Sequence, residues 1–449
     1  MASRSMVEGA PWKHILRFAF PVLLGALLQQ LYTTVDAIIV GNYAGQAALA
    51  AVGTTESFVF LFLTLSIGFS AGNGVVISQY FGAGDEAKMR ASASTGIILL
   101  LGMGLGASLL GIAVSRPAFA YFVAVPPEIL DMALQYFRLY SLALFFQYGY
   151  NICNAILRAV GDSAASLYFL LLASVINVAL DILFVAHWGW GVSGAAVATA
   201  CAEVACFAAA YCYMTRRYPQ FRFKLSEYTW DAALAKKTLT VGFPIAAQML
   251  IVSLGLTFIQ RAANGFGQVM TASFAVGTRA EMYMNFPSHA FQTTLATYTG
   301  QNVGAGRLDR VCLGARQTVL MSLGVTLLIA GLVWFCADII PAAFGLGGLA
   351  VSYCGSHLRT IAFVNIILAA YVPLFGLFQG TNHPGIPTMV ATGALSVRVF
   401  VTYLFRYSAY FGHTIIWTNG LFGFGMGFLI TWCYYLSNRW KKNASLINE

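Results

Sequence analysis

An all-α integral membrane fold is predicted, with about twelve spanning helices in two six-helix lobes related by a parallel internal repeat. Three observations predict it. Charged residues make up only 9% of the chain against 59% apolar, where a soluble domain carries about 25% charge. Apolar runs of about 18 residues or more recur along the whole length. Finally, segments about half a chain apart resemble each other. FAFPVLLGALLQQLYTTVDAIIVG (18–41) echoes VGFPIAAQMLIVSLGLTFIQRAANG (241–265), with Pro21 and Pro244 separated by 223 residues. QYFGAG (79–84) and QNVGAG (301–306) lie 222 apart, and LRAVGD (157–162) and FQGTNH (378–383) lie 221 apart. Near-constant spacing marks a duplicated fold, which in a membrane chain points to a transporter with its site between or within the repeats.

The predicted spans are 15–40, 50–80, 91–114, 129–157, 164–186, 191–214, 239–262, 270–300, 311–335, 353–379, 385–406 and 415–437. Barrel strands would be short and alternating, so a β-barrel is excluded. Six helices per half put the start of each half on the same side, which makes the repeat parallel. The chain divides into an N-lobe (1–214), a cytoplasmic linker (215–238) and a C-lobe (239–449). The linker is the longest polar stretch, RRYPQFRFKLSEYTWDAALAKK (216–237). Within it KLSEYTWDAALAKK is expected to form an amphipathic surface helix. Glycines, 44 in all, are spread through the spans; GMGLGASLLG (102–111) and GLFGFGMG (420–427) suit close helix packing.

The formal charge of +9 is a matter of topology. With the N-terminus inside, 18 of the 25 Lys and Arg fall at inside segments. Only Arg116, Arg261 and Arg406 fall outside, while Arg138, Arg279, Arg359 and Arg398 lie within spans. This asymmetry predicts cytoplasmic termini and no nucleic-acid partner. The eight cysteines form no metal-like cluster and read as packing residues. The first apolar run is too long for a cleaved signal and reads as a retained helix. Neither GAG loop is followed by a phosphate-binding signature, so an ATPase is excluded. No nucleophile–base or metal-ligand set suggests an enzyme, and no cofactor is expected.

An ionised carboxylate inside a bilayer is costly, so each needs a reason. Five acids fall more than three residues inside predicted spans: Asp36, Glu56, Asp181, Glu203 and Glu281. Helix 1 carries Gln29, Tyr32, Thr33 and Asp36 on one face. Helix 5 carries Asn177 and Asp181 one turn apart, helix 6 carries Thr199 and Glu203 likewise, and helix 4 carries Asn151 and Asn154. Converging, these faces would make a buried carboxylate site with amide and hydroxyl ligands. Such a pair can hold a proton, or a small hard cation such as Na⁺. Polar glue between helices is the plainer alternative. Met249, Met282, Met284, Tyr283 and Phe286 would line a pliable cavity or face core and lipid.

TVDAIIVG (34–41), ALAAVG (48–53), QYFGAGD (79–85), LRAVGD (157–162) and NVALDILFV (177–185) together resemble the multidrug and toxic compound extrusion (MATE) family, closest to its bacterial DinF-like branch. The resemblance runs over essentially the whole chain. It implies two six-helix lobes forming a V, in a bacterial cytoplasmic (inner) membrane. It implies efflux of bulky cationic or amphipathic drugs driven by inward H⁺ or Na⁺. Carried over by residue, the family's cation site falls on Asp36, Asn177, Asp181 and Thr199. Its substrate contacts fall on Gln29, Tyr32 and Asn154, and its helix 1 bend on Pro21. Glu203 and Glu281 are added here as candidate substrate contacts.

Two departures matter. Some branches place an acid on helix 7 where this chain has Val252, and another on helix 10, yet no acid occurs between Asp338 and Glu449. A C-lobe cation site of that kind is therefore not expected. The reading is a cation-coupled antiporter working by alternating access, with H⁺ preferred over Na⁺. Its partners are small-molecule drugs and the lipid bilayer, and a monomer is expected. The alternative is a flippase for a lipid-linked precursor, which would need a strongly basic cavity; a passive channel would not need titratable buried acids.

Overall fold

The computed structural model describes residues 5–123 and 125–447. Among them there is no strand. Twelve long helices follow in order: α1 (Pro11–Ala44), α2 (Gln46–Ala83), α3 (Glu86–Tyr121), α4 (Pro127–Ala159), α5 (Ser163–His187), α6 (Gly191–Arg217), α7 (Ala232–Asn264), α8 (Gln268–Gly304), α9 (Leu308–Phe335), α10 (Leu349–Gly380), α11 (Gly385–Phe405) and α12 (Gly412–Leu436). Eleven are long and apolar enough to cross a membrane. The exception, α8, has 37 residues but is more polar, carrying Arg279, Glu281, Asn285 and His289. The fold is thus the all-helical, multi-span one expected.

The duplication is written in the backbone. Residues with left-handed φ recur at the repeat spacing: Gly45 (91°) with Gly267 (94°), Gly84 (72°) with Gly306 (70°), Gly161 (90°) with Asn382 (60°), and Gly189 (70°) with Gly412 (51°). Each stands at a helix boundary, where a residue that tolerates positive φ ends one helix or admits the next. At Gly84 the reversal lets its N–H bond back to the Tyr80 and Phe81 carbonyls, and Asp85 then caps α3 by accepting from the Lys88 N–H at 2.9 Å.

The residues pack as two compact units, one holding Phe20–Ala246 and the other Met6–Ala19 with Ala247–Glu449. Both cuts fall inside a helix, beside Pro21 in α1 and Pro244 in α7. At Pro21 the helix continues, but without the hydrogen bond that an N–H there would give to Arg17.

In the first unit Phe58, Phe119 and Phe137 pack edge and face at centroid distances of 5.0 to 6.0 Å. The start of α7 lies tightly on α2: a Cβ added to Gly72 would fall 2.6 Å from the Thr238 carbonyl oxygen. Asn73 fixes that contact, donating to Thr238 Oγ1 at 3.1 Å and to the Ser92 carbonyl at 3.2 Å. In the second unit Ile259, Met270, Phe274, Leu395, Ile415 and Trp417 form one core. Met6 is held there, its N–H donating to Gln301 Oε1 at 2.8 Å and its carbonyl accepting from Arg310 at 3.1 Å.

The stretch between α6 and α7 differs from expectation. KLSEYTWDAALAKK does not form a separate surface helix: Leu225–Glu227 is one 3-10 turn, and Ala232 already starts α7. Tertiary contacts outweigh amphipathic pattern here. Arg90 on α3 donates to the Gln220 and Arg222 carbonyls at 3.0 and 3.2 Å, stacks over Phe223 and pairs with Glu227. The Tyr218 hydroxyl donates to Asp162 at 2.9 Å. Arg90→Ala should therefore release this segment, and trypsin should cut at the exposed Arg222 and Lys224 several-fold faster. Unchanged cleavage in membranes would contradict the clamp.

Candidate functional site

The densest buried acid chemistry lies in the first unit, where α1, α5 and α6 bring Asp36, Asn177, Asp181 and Thr199 together. Asp181 and Asn177 are fully buried and Thr199 is nearly so. The i, i+4 spacing puts Asn177 and Asp181 on one face of α5. The Asp36 and Asp181 side chains lie near enough for each to act electrostatically on the other. Each keeps its Oδ1 buried with no partner among the described residues. Asn177 bridges α5 and α6. With its amide nitrogen toward Asp181 it donates to Oδ2 at 2.7 Å, and its oxygen accepts from the Thr199 N–H at 3.3 Å. The opposite amide orientation would instead give a 3.3 Å bond to Thr199 Oγ1 and leave Oδ2 without that donor. Thr199 Oγ1 donates to the Ala195 carbonyl at 3.0 Å.

Two neighbouring acids cannot both stay ionised here. Two full charges about 4 Å apart repel by roughly 4 kcal/mol even at an effective dielectric of about 20. A proton shared between them, or a cation, resolves the conflict. The oxygens of the two carboxyls, of Thr199 and of the Asn177 amide suit a hard cation such as Na⁺ in chemical type. Among the described residues no group of three His, Cys, Asp or Glu could hold a metal.

Both α-helical segments bearing the acids end close by in π-helical turns, Val40–Ala44 and Ile182–His187. Such turns open the backbone ladder and recur at functional sites. Phe184 stacks on Trp188 and Trp190, each at 5.1 Å, and so anchors the second turn.

The other predicted residues lie around this pair or apart from it. Tyr32 feels the charges of both Asp36 and Glu203. Glu203, one turn beyond Thr199, accepts from Gln147 at 3.3 Å, and Gln147 accepts from Tyr140 at 3.2 Å. Gln29 is exposed on α1. Asn154 is tied elsewhere, to Ser166 and to the Tyr150 hydroxyl. Glu56 is exposed on α2. Glu281 lies in the second unit near the buried Arg398. Met284 is core, while Met282 and Tyr283 are exposed. Sequence reading missed Tyr136, Tyr140 and Gln147, although their spacing on α4 puts them on one face with the noted Asn151 and Asn154.

The MatE family profile matches residues 21–183 and 244–404, once in each repeat. The chain belongs to the MATE family. Its two matched segments begin at the repeat prolines Pro21 and Pro244. The probable multidrug resistance protein YpnP of Bacillus subtilis (strain 168) is 26% identical over 446 residues, covering 98% of both chains. An FAD transporter of Shewanella oneidensis is 24% identical over 80% of this chain and 79% of its own. In fold, a crystal structure of a MATE protein in a bent conformation aligns with a TM-score of 0.91 at 22% identity, covering 98% of both chains. MATE proteins are transporters, so the paired acids belong to a transport protein.

The pair should govern stability asymmetrically. Asp181→Asn removes a charge conflict and keeps the shape, so melting in detergent should be unchanged or higher. Asn177→Leu leaves Asp181 Oδ2 without its donor and should destabilise by about 1–3 kcal/mol. Equal losses in both variants would contradict the geometry.

Proposed function

We propose that the protein is a secondary active multidrug exporter, an antiporter driven by an inward cation gradient, with H⁺ as the coupling ion. It exports bulky cationic or amphipathic compounds. The observation that carries this reading is the pair of carboxyls, Asp36 and Asp181, each with a buried and unpartnered Oδ1, inside spanning helices. A structural role alone would be filled at less cost by apolar packing. The Asn177 amide supports the proton. With nitrogen on Asp181 and oxygen on the Thr199 N–H, both ends of the amide already have protein partners, and only one lone pair of its oxygen is left for an ion. Sodium would take Asp36, Asn177, Asp181 and Thr199 as ligands.

In the proposed cycle an outside proton occupies the pair. Neutralisation lets α1 repack, with Pro21 as its hinge. Gln29, Tyr32, Asn154 and Glu203 supply substrate contacts in the first unit, and Glu281 supplies one in the second. Coupling follows if ion and drug favour different states of alternating access. We propose a monomer in a bacterial inner membrane; the distribution of basic residues supports cytoplasmic termini.

In proteoliposomes with H⁺ and Na⁺ gradients imposed separately, the H⁺ gradient alone should drive efflux. Asp36→Asn and Asp181→Asn should insert normally and abolish it, and Asn177→Ala and Thr199→Ala should weaken it. A Na⁺ requirement at fixed pH would contradict the proton while leaving the site. Val252→Ala should leave coupling intact, whereas Glu281→Gln should shift the range of exported compounds. Coupling that survives Asp36→Asn but not Glu281→Gln would move the ion site to the second unit.

A further inference from the structure

The second unit holds a buried cation with unused bonding capacity. Arg398 on α11 is 8% exposed. Its Nε donates to Asn419 Oδ1 at 2.8 Å, and its guanidinium lies over Phe424 at 4.6 Å. Asn419 is fixed in that orientation, because its own nitrogen donates to the Ile415 and Ile416 carbonyls at 3.1 and 2.6 Å. Neither Nη of Arg398 has an acceptor among the described residues. Glu281 is the acid whose charge acts on it, along with the Tyr371 hydroxyl, but no ion pair joins them among the described residues.

His357 on α10 belongs to the same cluster and lies within reach of the Arg398 charge. It is 1% exposed and stacks on Phe274 at 5.3 Å and Trp417 at 5.5 Å, yet its Nδ1 has no partner. Room for these side chains is built in. A Cβ on Gly277 would fall 2.0 Å from His357 Nδ1, and one on Gly423 would fall 2.3 Å from Arg398 Cγ. At the 221-residue register of LRAVGD and FQGTNH, Arg398 stands where the first repeat has Asn177, and Thr402 where it has Asp181. In this stretch the first repeat thus carries an acid, Asp181, and the second a cation, Arg398, one helical turn apart in register.

We propose that Arg398 centres an oxyanion-binding subsite of the second unit, taking the carboxylate of an aromatic amphiphile whose ring lies against the half-buried Phe424. The planar fork of a guanidinium suits a carboxylate held by two parallel hydrogen bonds. With only Nε bonded, to Asn419, the guanidinium keeps its two Nη groups as spare donors for a ligand. Glu281 repels that carboxylate and limits its affinity. The proposal rests on the exporter reading and deepens it: it adds a carboxylate-bearing class to the compounds that the second unit would take.

The test is equilibrium binding to the purified full-length protein in detergent. The probes are 2-naphthoate, its neutral methyl ester and ethidium. Naphthoate should bind more tightly than the ester. Arg398→Gln should weaken naphthoate by about tenfold or more, leave ethidium binding and melting temperature in place, and remove the preference over the ester. Arg398→Lys should restore part of it, and Glu281→Gln should tighten it several-fold. Phosphatidylglycerol, which offers a lipid phosphate, should not displace naphthoate. Equal binding of acid and ester, naphthoate binding unaffected by Arg398→Gln, looser binding in Glu281→Gln, or displacement by the lipid would each overturn the proposal. Gradient-driven ethidium efflux reads the exporter assignment separately, so the two can fail independently.

Discussion

Two neighbouring acid side chains within spanning helices cannot be left alone. The pairing of Asp36 with Asp181 is stable only while something positive sits between them, and that demand shapes the first unit. Asn177 spends its amide on holding Asp181 and the backbone of α6. Thr199 anchors its own hydroxyl on the Ala195 carbonyl of α6, beside Tyr32 and Asp36 of α1. The site therefore joins three helices through interactions whose strength depends on whether the pair is charged. Loss of the shared proton restores a repulsion of several kcal/mol, enough to favour a different packing of α1. The π-turns at Val40–Ala44 and Ile182–His187 lie where such repacking would be absorbed.

Duplication supplies the frame, and divergence supplies the chemistry. Left-handed residues at four pairs of corresponding positions show that the two repeats turn alike. The side chains set into them differ: the first repeat buries paired acids with Asn177, while the second buries Arg398 with Asn419 and His357. Glycines at the crowded points, Gly72 against Thr238 and Gly277 against His357, leave no space for a side chain. Polar clusters in both repeats thus rest on close backbone packing that apolar residues alone would not specify.

Much of this was legible in the sequence. Hydropathy and low charge gave the spans, because a bilayer forces long apolar helices. Helical spacing placed Asn177 with Asp181 and Thr199 with Glu203. What spacing did not reveal was partnership between helices. The Gln147–Glu203 link and the Arg398–Asn419 bond join residues 56 and 21 apart in sequence, and only packing brings them together. The segment after α6 was misread for the same reason: its amphipathic pattern was real, but Arg90 and Asp162 hold it in turns. Asn154 sits on the expected face of α4, yet Ser166 and Tyr150 engage its amide.

The central claim is that the acid pair holds the coupling ion and that drug binding is linked to it. By reciprocity, a drug that binds better when the pair is charged must expel its proton. Ethidium added to the purified protein in weakly buffered solution should release roughly one proton per drug bound. The protein with both Asp36→Asn and Asp181→Asn should bind ethidium without release. Undiminished release from that double variant would contradict the account.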